Sequence, residues 1–315
     1  GHAWLGPHQT GEQSYLYGFR GRMDERYDMV RSVRDQRYLY IRNYMPHRIY
    51  GQHLAYMFET PTTTVWKKMY DEGKLKPPQT FFWEPKPPEE LYDLQQDRWE
   101  VKNLANSPEH QAILARLRAA QEQKALEIKD VGFLPEYEIH RRSAGSTPYE
   151  MGHDEKKYPA KRVIETAGLA ASLKKGVTAQ LTQALQDPDS AVRWWGALGI
   201  LMRGAEEVKT CTPRLRKALD DEAPAVRIAA AEALGRYGSG GDLDKSLHTL
   251  LSLAAADKNG VYVALMAGSA INELGAKAKP IQEALRTLPV QDPNAPERAA
   301  GYMDRLLKDI LADLK

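Results

Sequence analysis

The stretch ALQDPDSAVRWWGALGILMRG, starting at Ala184, lines up without a gap on ALDDEAPAVRIAAAEALGRYG, starting at Ala218. Asp187 falls on Asp221, Val192 on Val226, Arg193 on Arg227 and Gly204 on Gly238. Self-similarity of this kind restricts a chain more than any single motif, because each unit carries an apolar face that only the next copy can cover. A weaker copy, ALMAGSAINELG, ends at Gly275, and DPNAPERAAGYMDRLL from Asp292 repeats the Asp-Pro opening with Arg298 in the place of Arg193. An array of paired helices is therefore expected over 158–315. In each copy a turn aspartate (Asp187, Asp221, Asp292) precedes the arginine at constant spacing. Stacking is expected to set each arginine against a neighbouring turn's carboxylate, a ladder that fixes the register.

The repeat unit resembles the HEAT-like repeats of bacterial scaffolding proteins. Such arrays offer an extended face to partner proteins. Trp194 and Trp195 point the same way, since adjacent side chains on a helix diverge and cannot both enter one core. Nucleic acid is a poor fit: Leu219 to Ala233 carries Asp220, Asp221, Glu222 and Glu232 against Arg227 alone, and phosphate binding needs clustered basic charge.

Residues 1–140 follow a different grammar, rich in Tyr, Arg and Pro. YDMVRSVR from Tyr27 and YLYIRN from Tyr38 alternate β-branched and aromatic residues on either side of a short turn, which predicts an antiparallel hairpin. SYLYGF from Ser14 and EELYDL from Glu89 supply a third and fourth strand. TTTVWKKMYDEG reads as a short helix stopped by Gly73. A second helix is expected from Ser107, as cap, through Ile113, Leu114, Leu117, Ala120, Leu126 and Ile128, lying on one sheet face. Residues 141–157, RRSAGSTPYEMGHDEKK, read as a polar linker. The expected architecture is an α+β unit, a small antiparallel sheet with a packed helix, followed by an all-α HEAT-like solenoid.

Composition narrows the function. The 315 residues carry 44 basic and 42 acidic side chains for a net charge of +2, so any attraction for anions has to be local. No apolar run is long enough for a membrane span, and no membrane partner is expected. The single cysteine, Cys211, excludes an internal disulfide.

ELYDLQQDRWEVKNLANSPEH, from Glu90 to His110, is similar to the C-terminal signature of type I sulfatases, in which Glu-Leu-Tyr-Asp-Leu is followed by Asp-Pro, Glu, Asn-Leu and a closing helix. Glu90, Leu91, Tyr92, Asp93 and Leu94 are followed here by Asp97, Glu100, Asn103 and Leu104, and Arg98 stands where the family usually has Pro. The long insertion between hairpin and signature is most similar to the heparan N-sulfatase branch. The resemblance implies that the chain is the C-terminal portion of a hydrolase of sulfate esters or N-sulfates on saccharides. It further implies a preceding N-terminal domain, the partner of this piece, holding calcium and a formylglycine nucleophile, and a periplasmic or secreted parent. No catalytic residue, metal ligand or cofactor is assigned to this chain, which is expected to be inactive alone.

A family nucleophile sits in C-x-P-S-R or S-x-P-x-R. CTPRLR, from Cys211, fails because the fifth position is Leu215, and its Pro213 reads as a first-turn helix proline. The remaining anion-directed feature is a basic run: Arg20, Arg22, Arg26, Arg31, Arg34, Arg37, Arg42 and Arg48 outnumber Asp24, Glu25, Asp28 and Asp35. Arginine's donor fork suits sulfate or carboxylate, and imidazoles hydrogen-bond sugars. Arg20, Arg22, Arg26, His47, Arg48 and His53 are thus the candidate substrate-binding residues. The alternative use of the chain is a protein-interaction module built on the repeats.

Overall fold

A computed structural model describes residues 3–315. Four antiparallel strands, β1 (Leu16–Met23), β2 (Arg26–Arg34), β3 (Tyr38–Asn43) and β4 (Glu89–Asp93), form one sheet in the order β1-β2-β3-β4. Register places Val33 opposite Tyr40 and Tyr40 opposite Leu91. These three therefore share one face, as the two-residue period of a strand requires. They pack against Leu114 and Leu117 of the long helix, with Ala105 closing the cluster. On the opposite face lie Val30, Ser32, Leu39 and Ile41, none of them fully buried. The β1–β2 pairing slips between Arg20 and Arg22, a bulge that turns the end of this edge strand.

Between β3 and β4 the chain makes an excursion through α1 (Ala55–Phe58) and α2 (Pro61–Asp71). Trp66 of α2 stacks on Phe82 at 5.0 Å and meets Trp83 edge-on at 5.2 Å, so this insertion has its own aromatic nucleus. After β4 comes the sheet-covering helix, α3 (Gln111–Glu127). Ser107 does not cap it. A 3-10 turn, Pro108–His110, intervenes, and the Ser107 hydroxyl is 2.8 Å from the His110 ring nitrogen. Ile128, placed in the apolar stripe by periodicity, falls beyond the helix and is exposed, while Gln121 is buried because it accepts from the Tyr44 hydroxyl at 3.1 Å.

Twelve further helices follow as α4 (Glu136–Arg142), α5 (Pro148–Gly152), α6 (Ala160–Ala171), α7 (Thr178–Ala184), α8 (Ser190–Met202), α9 (Ala205–Ala218), α10 (Pro224–Tyr237), α11 (Asp242–Ala254), α12 (Ala256–Asn259), α13 (Val261–Leu274), α14 (Gln282–Arg286) and α15 (Tyr302–Asp313). Helices α8, α10, α13 and α15 neighbour one another in sequence of repeats, and α7, α9 and α11 pack behind them. Gly199 lets the layers approach closely, since a methyl there would sit 2.6 Å from the Leu181 side chain. Pro213 is not in a first turn: it lies deep inside α9, where it removes one backbone donor.

The segment 141–157 is folded. Thr147 and Glu150 form a reciprocal capping box at the start of α5, and Met151 is fully buried. One apolar core runs from Met29, Tyr44 and Phe133 through Met151 and Tyr158 to Trp195, Ala229, Leu265 and Leu306. Sheet unit and repeats share it.

Candidate functional site

The sulfatase-like signature is used for architecture. Asp93 takes the Arg37 guanidinium in two-pronged fashion, at 2.7 and 3.1 Å, which ties the end of β4 to the β2–β3 turn. Asp97 accepts from the backbone of Val101 and Lys102, and Asn103 accepts from Leu91 and Ala105, so the turn after β4 is held by its own side chains. Glu90 is buried and receives Asn43 at 2.6 Å, Tyr92 at 2.5 Å and the Tyr50 hydroxyl.

The basic run is largely engaged with carboxylates of the same chain. Arg48 forks onto Glu232 of α10 at 2.6 and 2.8 Å and reaches Glu273 of α13 at 3.1 Å. Burial works against its charge, but these two carboxylates outweigh it and its pKa ends above the ordinary value. Arg26 pairs with Asp309 of α15 and donates to Asn272 at 2.8 Å, and His53 meets the other Asp309 oxygen at 3.1 Å. Arg22 pairs with Glu136. Arg20 stands apart, 3.8 Å from Asp28, whose carboxylate also holds the buried Lys86. Arg31 clasps Asp130 at 2.6 and 3.1 Å, and Arg42 donates to the Gly168 carbonyl of α6 at 2.7 Å.

Of the six sequence-derived candidates, the structure brings Arg22, His47 and Arg48 to one small, partly open cavity of about 60 Å³ between sheet unit and repeats, with Trp194 and Leu198 on its far wall. His47 as a whole is half-buried, and both its ring nitrogens are shielded from solvent. Burial, reinforced by Arg48, Arg236 and Lys86, holds this imidazole well below its ordinary pKa, so it is neutral. Arg26 and His53 converge on Asp309, and Arg20 joins neither group. Trp194 and Trp195 are both buried, and the Trp195 indole donates to the Phe133 carbonyl at 2.9 Å. The divergence expected of adjacent tryptophans is accommodated by the sheet unit, which covers this face.

Sequence reasoning passed over a groove of about 630 Å³ beside β4. Tyr92, Ile41 and Glu90 line it from the sheet, Trp66, Phe81 and Phe82 from the insertion, and Trp99 and Glu100 from the turn after β4. The signal was the aromatic density of FFWEP and DRWE, which flank the signature strand.

Among the described residues no cluster of three His, Cys, Asp or Glu could hold a metal ion. Cys211 is buried in α9, where burial and the nearby Glu207 push its thiol up to about 11, the opposite of what a nucleophile needs. No helix among the described residues is long and apolar enough to cross a membrane.

Comparison with known proteins finds two partial likenesses. Residues 178–272 match a family model described as HEAT repeats. The ulvan-active sulfatase of Formosa agariphila is 40% identical over 140 residues, 44% of this chain. The match covers 24% of that relative's length, so the likeness to a sulfatase extends over part of this chain and over a small part of the relative.

Proposed function

We propose that this chain is the C-terminal part of a sulfatase that removes sulfate from a polysaccharide of the ulvan type, the chemical step being carried out by polypeptide outside the chain. The observation that carries this reading is the 40% identity to an ulvan-active sulfatase, joined to a closing strand and turn held by Asp93, Asp97 and Asn103. The repeats would act as a buttress: Arg48, Arg26 and Arg42 fix the sheet unit to α10, α15 and α6. Calcium and formylglycine would belong to the preceding domain.

The test is sulfate release from ulvan oligosaccharides by this chain and by the longer protein encoded in its reading frame. Release by the longer protein alone is expected. Upstream sequence without C-x-P-S-R or S-x-P-x-R, or equal release by the present chain, would overturn the proposal.

A further inference from the structure

The groove beside β4 differs in charge from the arginine-rich strands around it. Its charged lining is acidic, Glu84, Glu90 and Glu100, with no lysine or arginine. Glu90 is committed to Asn43, Tyr50 and Tyr92, whereas the Glu84 and Glu100 side chains make no hydrogen bond or ion pair among the described residues and are free to accept. The aromatic walls are held in place: the Trp66 indole donates to the Gln79 carbonyl at 2.9 Å and its ring stacks on Phe82. Trp99 is 77% exposed, with the Arg98 guanidinium 5.2 Å from its ring and outside the lining.

Flat apolar rings and acceptors together fit a pyranose, which has an apolar C–H face and a rim of hydroxyl donors. Two free carboxylates repel a sulfate or uronate placed between them. From these features we infer that the groove is a saccharide subsite selective for an uncharged sugar unit, taking an unsulfated stretch of the chain whose sulfated unit is processed elsewhere. The inference rests on the saccharide reading above and assigns the roles: Trp99 and Phe81 as stacking platforms, Glu84 and Glu100 as acceptors and as the barrier to sulfated units.

The experiment titrates the present chain with xylopentaose, cellopentaose and a chondroitin sulfate hexasaccharide, followed by tryptophan fluorescence and calorimetry. At least one neutral oligosaccharide should saturate, and the sulfated one should bind more weakly. Trp99→Ala, at an exposed position that folding does not depend on, should weaken neutral binding about tenfold or more. The double variant Glu84→Gln/Glu100→Gln should narrow the discrimination against the sulfated oligosaccharide, an effect a purely structural role would not produce. Failure of both neutral oligosaccharides to saturate, or tighter and salt-sensitive binding of the sulfated one, overturns the inference. Neutral binding by this chain together with no sulfate release by the longer protein would sink the enzyme reading and leave the subsite standing.

Discussion

At the residue scale, the interior charges decide how the protein responds to pH and to truncation. His47 has a folded pKa depressed below 6.5, so an unfolded chain binds a proton there that the folded one refuses. The associated stability is complete above about pH 6.5 and is lost as pH falls toward the folded value. We expect wild type to lose stability between about pH 6.5 and 5 more steeply than His47→Leu, by up to about 1.4 kcal/mol per pH unit, in urea titrations. Parallel slopes would show that His47 is hydrated and titrates normally. Arg48 and Glu232 form a buried, forked pair. Removing one charge strands the other, so Arg48→Ala should cost about 3–5 kcal/mol, and pairing Arg48→Met with Glu232→Met should cost much less than the two singles summed. A small effect of Arg48→Ala in chemical denaturation would place the pair in solvent.

At the scale of elements, the arginine ladder is partly realised. Arg193 on α8 clasps Asp221 at 2.7 and 2.9 Å and also donates to the Asp187 and Pro188 carbonyls, which binds one inter-repeat turn to the next. Arg162 on α6 lies 3.5 Å from Asp187, a looser rung. Arg227 and Arg298 meet no carboxylate within 4.0 Å among the described residues, and Asp292 instead accepts from the Val261 backbone at the start of α13. Arg193→Ala is therefore expected to lower stability by about 1.5–3 kcal/mol and Arg227→Ala by less than about 0.5 kcal/mol, read as shifts in the urea midpoint. Equal losses would mean that the ladder continues through α10. The strands and the long helix were legible because alternation and helical spacing are local properties of the sequence. Ser107 and Pro213 were misread because a 3-10 turn and an internal helix proline depend on what packs nearby, which local propensity does not record.

At the scale of the whole molecule, what sequence could not show was the join between the halves. Arg48 and Glu232 are 184 positions apart and Arg26 and Asp309 are 283 apart, so the arginines looked unpaired and were assigned to a ligand. Trp194 and Trp195 looked surplus to a helix core because the sheet unit that covers them precedes the repeats. The same ignorance hid the groove, whose walls come from three separated segments. Since one core links both halves, thermal unfolding should show a single cooperative transition by calorimetry and by tryptophan fluorescence. Two resolved transitions would show that the repeats fold independently of the sheet unit.

The capped helix between the halves bears on how the chain can be cut. Asp154, Glu155, Lys156 and Lys157 form a short exposed or half-exposed stretch, an accessible target for trypsin, yet Met151 before it and Tyr158 after it are buried, and the Tyr158 hydroxyl donates to the Asp130 carbonyl at 2.6 Å. A nick there would sever the backbone without freeing either piece. The two fragments should remain together as one non-covalent particle, separable under denaturing conditions alone, and grafting the repeats onto another protein would require carrying the covering sheet unit with them.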